Sequence, residues 1–230
     1  MAIICTAADI KDDNKAIVNE FACFINNKAF PCVAAKAALE RNQVVCMVAD
    51  HMACSKDDGA ILQFLYDFVD IYRGADTFFH SASIIFKGPE VLGEDAFDGL
   101  LWRRLQSLSD LDAGNYSYDK RVAKDPAAEN FSFSVKEEAF FVIGLHAASS
   151  RTARQFKYPA LVFNPHAQFE YLRATNRYDK MKNVVRKRDV AFSGSVNPML
   201  QDFGASSEVY QYSGRKYTSG WQCPLHINHP

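Results

Sequence analysis

A cysteine preceded by proline, Pro31-Cys32, follows Phe30 where a strand or turn ends and a helix opens. Backbone N–H groups at a helix start favour the thiolate, the form of cysteine that attacks or binds metal; the structural alternative is a buried cysteine acting as a small hydrophobe. His146 closes the apolar run 140–145 and directly precedes Ser149-Ser150-Arg151. A strand end that empties into a loop can expose a side chain on a rigid support, and the alternative is a histidine hydrogen-bonded at the sheet margin. Arg151 and Arg154, three apart, read as the first turn of a helix, with planar forks suited to a carboxylate or phosphate. In VFNPHAQFEYLR, residues 162–173, a strand stops at Asn164-Pro165 and a helix begins with His166, which either reaches a cofactor or caps the turn. Asp202 and Glu208 lie among aromatics and glycine, where acceptor-only carboxylates pair a cationic ligand or bond backbone amides.

The elements that must position these residues can be read from hydrophobic spacing. Residues 13–25 have helical periodicity ending at Asn26-Asn27, and a second short helix follows Pro31. Residues 55–74 repeat apolar side chains at i, i+3, i+4 and i+7, with Ser55 or Asp57 as cap and Gly74 as stop. Residues 77–86 are β-branched and aromatic, which predicts a strand, and 92–108 return to helical spacing. The polar stretch 110–130 reads as a loop and as the break between two halves. Strands are expected at 131–135 and 139–145, meeting at Lys136-Glu137, and at 160–163. After Pro165 a helix runs to about Arg188, interrupted near Asn176. The text from Gly194 onward is turn-rich, and no repeat of 20 to 50 residues is visible.

The chain has 230 residues, 48% of them apolar and 23% charged, which are globular proportions. Its formal charge of -1 gives no basis for a nucleic-acid binder and points toward small molecules or a protein partner. Residues 173–188 nevertheless hold seven cations (Arg173, Arg177, Lys180, Lys182, Arg186, Lys187 and Arg188) against Asp179 alone. Such a run is either a solvated helix face or a dock for an acidic protein. Six cysteines without a CxxC pair read as free thiols in a reducing compartment. With no cationic leader and no apolar stretch of bilayer length, the expectation is a soluble cytoplasmic protein with no membrane partner. Dinucleotide-fold, P-loop, zincin and nucleophile-elbow motifs do not occur.

Seven strings occur in order: FPC (30–32), GLHAASSRTARQF (144–156), PALVFNPHAQFEYLR (159–173), RD (188–189), GSVNPMLQDFG (194–204), SEVYQYSGR (207–215) and WQCP (221–224). Together they resemble the YqcI/YcgG family. Within it they are similar to the branch of haem-dependent guanidino N-hydroxylases, which includes the guanitoxin-pathway enzyme and the arginine hydroxylase of cycloserine biosynthesis. The resemblance spans nearly the whole chain and is densest from Gly144 onward. The family's closing string is similar to CPF, whereas this chain has Cys223-Pro224-Leu225.

The resemblance implies a haem b that activates dioxygen and hydroxylates a nitrogen of arginine or a related guanidino compound. A haem-binding sensor or carrier is the competing reading. The axial ligand must be Cys, His, Met or Tyr, and His146 and Cys32 lead, ahead of His166 and Cys223. Arg151 and Arg154 are the expected propionate clamps, with His166 also at the cofactor, and Glu208 and Asp202 are the expected partners of the substrate guanidinium. External electrons would come from an acidic ferredoxin or flavoprotein reductase docking at residues 173–188. The fold implied is α/β (α+β mixed): a single domain with a central mixed sheet, flanking helices and a haem pocket.

Overall fold

The structure, a computed structural model, describes residues 4–5, 12–77, 79–90, 92–197, 199 and 204–230. In chain order the elements are β1 (Ile4–Cys5), α1 (Asp12–Asn26), α2 (Val33–Glu40), β2 (Val44–His51), α3 (Asp58–Arg73), β3 (Ser81–Gly88), α4 (Glu94–Asp112), β4 (Phe133–Val135), β5 (Glu138–Leu145), β6 (Ala160–Pro165), α5 (His166–Ala174), α6 (Tyr178–Ser193) and α7 (Val209–Tyr212). The six strands form one mixed sheet in the order β1-β2-β3-β6-β5-β4. Pairing is parallel from β1 to β3 and antiparallel from β3 onward. The expected mixed α/β domain is the architecture observed.

Strand alternation divides the sheet's side chains between two cores. Val45, Ala49, Ala82, Ile84, Phe86, Phe140, Val142, Leu161 and Phe163 pack with α3, α4 and the C-terminal segment. On the other face Val44, Cys46, Ile85, Leu145 and Ala160 pack with α1 and α2. Gly144 belongs to the first face by register, and a Cβ there would sit 2.6 Å from Phe97 Cε1 and 2.9 Å from Leu101 Cδ1. Only glycine lets α4 approach β5 this closely.

Several sequence expectations need revision. The strand β2 was not anticipated, although VVCMVAD is the apolar, β-branched run a buried parallel strand requires. β3 begins at Ser81, four residues later than the spacing suggests, and runs on to Gly88. The polar stretch after α4 is irregular, but it is no break between halves. Tyr118 is buried and its hydroxyl donates to Ser132 O (2.7 Å), and Asp119 accepts from Ala139 N (2.8 Å), so the loop is sewn to the β4–β5 hairpin. That hairpin turns at Lys136-Glu137, both left-handed (φ 53° and 56°). Arg73 Nη2 donates to both of their carbonyls at 3.0 Å, which fixes the turn without glycine. The interruption near Asn176 is real: that residue has φ 55° between α5 and α6.

Candidate functional site

A cavity of about 310 Å³ lies on the α1/α2 face of the sheet, at the low end of the roughly 300–1,000 Å³ usual for small-molecule and cofactor sites. Its floor is one face of four strands: Val44 of β2, Ser81 and Ser83 of β3, Phe141, Ile143 and Leu145 of β5, and Val162 and Asn164 of β6. Phe21, Phe24 and Ile25 of α1 form one wall, and Phe169, Leu172, Met181 and Val185 of α5 and α6 form another. The space exists because α2, with sequence VAAKAALE, presents only methyl groups there, at Ala34, Ala35 and Ala38. A larger side chain at these positions would fill it.

Cys32 stands on this wall. Its sulfur caps α2, accepting from Ala35 N at 3.4 Å. The preceding turn is fixed by a Phe24–Phe30 edge contact (centroids 5.1 Å) and by Arg188 Nη2, which donates to Lys28 O (2.7 Å) and Phe30 O (2.9 Å). Burial pushes the Cys32 thiol up, and the Ala35 and Ala34 amides pull the other way without prevailing. The helix start is therefore outweighed by desolvation, which favours the thiol over the thiolate.

Arg151 and Arg154 also line the cavity, but as structural clamps. The α-helix expected there is a single 3-10 turn, Thr152–Arg154, because the β5–β6 connection has no periodic apolar face to support a longer helix. Arg151 Nη2 donates to Asp189 Oδ2 (2.6 Å) and Ser195 O (2.8 Å). Arg154 donates to Gly144 O (3.3 Å), Tyr212 O (2.8 Å) and Gln211 O (2.7 Å), and Gly214 (φ 86°) leaves room for its side chain. Burial, reinforced by the Arg151 charge, brings the Arg154 guanidinium down to about 10. Arg173, Lys182 and Arg186, cations of α5 and α6, line the same cavity.

The remaining predicted residues separate. Glu208 lines the cavity and is buried; Ser132 Oγ donates to its Oε2 (2.9 Å), and the Tyr212 hydroxyl stands 3.4 Å from the same oxygen. His166 is buried and does not line the cavity; its Nδ1 is 3.5 Å from Glu208 Oε1 and its Nε2 3.7 Å from Glu170 Oε1. His146 does not line the cavity. It stacks on Phe97 (centroids 4.3 Å, 22°), and burial lowers its pKa. Cys223 is half-buried against the α3/α4 core, where burial raises it to about 12. Asp202 lies outside the described residues. Of the two leading ligand candidates, the structure brings only Cys32 to the cavity.

Spacing alone missed Ser83 and Gln168, which line the floor and the α5 wall. Their signal was available: a serine at an inward strand position and a glutamine in the first turn of α5, both polar where an apolar residue is normal. Among the described residues no group of three or more His, Cys, Asp or Glu could hold a bare metal ion, and no helix is long and apolar enough to cross a membrane.

Fold and site together define a mixed α/β protein with a thiol-bearing, mostly apolar cavity between the sheet and helices α1, α2, α5 and α6. The chain matches the YqcI/YcgG family over residues 21–226 and belongs to it. It is 28% identical over 190 residues to the uncharacterized protein YqcI of Bacillus subtilis (strain 168), an alignment covering 78% of this chain and 72% of that protein. No solved structure matches it significantly.

Proposed function

We propose that this chain is a haem-dependent oxygenase that N-hydroxylates a guanidino (or amino) nitrogen of arginine or a related small molecule, with dioxygen and external electrons as co-reactants. The observation that carries the reading is the coexistence, on one mostly apolar cavity, of a capped thiol, Cys32, and a buried carboxylate, Glu208. The donor set suits a b-type haem: a sulfur ligand on the wall, aromatic and aliphatic surfaces for a flat macrocycle, and cations at Arg173, Lys182 and Arg186 for its carboxylates. When bound, haem supplies the activation of dioxygen. Cys32, through Sγ, is the residue that would hold its iron.

The chain's own residues have the other tasks. Glu208, acceptor-only and held by Ser132, pairs the substrate's cationic end and orients the reacting nitrogen. His166, 3.5 Å from Glu208 Oε1, keeps that carboxylate aligned. Phe21, Phe24, Phe141 and Phe169 exclude bulk water. The test is an absorption spectrum of protein expressed with haem precursor. A Soret band, a thiolate-type ferrous carbonyl signature lost in Cys32→Ala, and conversion of arginine to a product heavier by one oxygen are the expected results. A fully haem-loaded protein that turns over no guanidine, or a Cys32→Ala spectrum identical to the parent's, contradicts it.

A further inference from the structure

Phe141 of the cavity floor meets the ring of Tyr212 edge-on (centroids 6.0 Å). From there to the surface the rings in contact are phenols and indoles. Tyr212 stacks on Trp102 of α4 (6.0 Å, 25°), Trp102 meets Trp221 (5.7 Å), and Trp221 lies flat on Tyr217 (3.7 Å, 21°). Tyr212 and Trp102 are buried, and Trp221 is partly exposed. Both tryptophans of the chain belong to the series. Packing alone asks only for rings of fitting shape, which phenylalanine supplies without a polar atom to satisfy. Indole and phenol differ from it in chemistry: they give up an electron readily, and the phenylalanine ring does not.

A phenol or indole that loses an electron becomes a strong acid, so a base must stand at its O–H or N–H. Three of the four rings have a carboxylate there. The Tyr212 hydroxyl is 3.4 Å from Oε2 of Glu208, a cavity-lining residue. Trp102 Nε1 donates to Asp98 Oδ1 (2.9 Å), and the Tyr217 hydroxyl donates to the same oxygen. Asp98 is buried, so these contacts are shielded from water. The series therefore has one end at the cavity, the other at the surface, and a proton acceptor at both ends and in the middle.

We propose that Tyr212, Trp102, Trp221 and Tyr217 form a redox relay that carries oxidising equivalents out of the cavity to the surface. The oxidant is a peroxide-derived one-electron oxidant, formed in the cavity when dioxygen is activated with no substrate to receive the oxygen. It takes one electron from Tyr212 while the phenol proton moves to Glu208. Tyr212 is restored by an electron from Trp102 and the proton from Glu208, Trp102 by an electron from Trp221, and Trp221 by an electron from Tyr217, whose proton passes to Asp98. A surface reductant such as ascorbate then returns one electron through Trp221, and Asp98 returns the proton. The inference rests on the proposed function only for the source of the oxidant.

Two experiments on the full chain test it. The haem-loaded protein is mixed with hydrogen peroxide without substrate, freeze-quenched for electron paramagnetic resonance and mapped for oxidised residues by mass spectrometry. A tyrosyl radical and oxidation at Trp221 and Tyr217 are expected. In Trp102→Phe that oxidation should be lost and move to lining residues such as Cys32 and Met181, with faster bleaching of the Soret band. Because Trp102→Phe leaves a gap in the core, Tyr217→Phe, which keeps its ring, is the second variant and should lose the terminal tyrosyl signal. In the haem-free chain, azide radicals made by pulse radiolysis take one electron from Trp221, the exposed indole. Indolyl absorbance should give way to phenoxyl absorbance at a rate independent of protein concentration. Tyr217→Phe should slow this step, and adding Trp102→Phe should lower the remaining phenoxyl yield by cutting the route to Tyr212. A rate proportional to protein concentration or indifferent to these substitutions, or the same oxidation map in parent and Trp102→Phe, overturns the relay. Transfer that depends on Tyr217 and Trp102 in a chain that never takes up haem sustains the relay and removes the oxygenase.

Discussion

Cys32, His80 and His146 illustrate how environment, more than residue type, sets chemistry here. Desolvation raises the Cys32 thiol even though it caps a helix, and the same effect lowers the pKa of His80 and His146 below the ordinary 6.5. At His80 a bond to the Thr77 backbone opposes the shift, and at His146 the Glu94 carboxylate does, while the Arg154 charge adds to it. A base whose folded pKa lies below its unfolded value binds fewer protons when folded. Its contribution to stability is complete above about pH 6.5 and is lost as acidification protonates the unfolded chain first. The thermal midpoint should accordingly fall between about pH 6.5 and 5, and His146→Phe, which keeps the stack on Phe97, should flatten part of that fall. A midpoint constant across this window in the parent protein contradicts the assignment.

At the scale of elements, α2 and α6 have complementary roles. The alanines of α2 make the cavity, and α6 holds its rim: Arg188 fixes the turn before Cys32, and the adjacent Asp189 takes Arg151 from the β5–β6 connection. The Arg-Asp dipeptide therefore ties two distant motifs to one helix. Asp189→Ala would leave Arg151 buried without its counter-charge, a change expected to cost about 3–5 kcal/mol, read as a lower urea midpoint at unchanged slope. Ala35→Leu tests the other helix. It keeps the residue-35 amide that donates to the capping Cys32 sulfur and adds apolar volume to the cavity, so the thermal midpoint should be kept while haem uptake and arginine binding are lost. Retained uptake of haem by Ala35→Leu would mean that the cofactor sits elsewhere.

For the molecule as a whole, the basic stretch does not act as a single solvated face. Arg173, Lys182 and Arg186 line the cavity and Arg188 is spent on the α1–α2 turn, while Arg177, Lys180 and Lys187 remain exposed. The surface proposed to dock an acidic electron donor reduces to these three. Reversing their charge should slow second-order reduction by a ferredoxin about 10-fold at low ionic strength and abolish its salt dependence. Reduction rates and salt dependence that survive the triple reversal would place the donor on another face. The exposed cations adjoin a helix that lines the cavity, so a donor docked there would lie close to the proposed redox centre.

Much of this was legible in the linear text. Local spacing determined α1, α3, the β4–β5 hairpin at Lys136-Glu137 and the break near Asn176, because those elements are specified by neighbours a few residues away: amphipathic repeats, caps and turn positions. It also singled out Cys32, Glu208 and the two arginines as residues of consequence. What each of them does was decided only by tertiary structure. Whether Arg154 is a free fork or a strut depends on carbonyls at 144, 211 and 212. Whether His146 or Cys32 meets the cavity depends on which face of a sheet built from distant strands each one joins. Spacing carries the period of a strand, but the side on which the empty space falls is fixed by the helices packed against it, and here by three alanine methyls on α2.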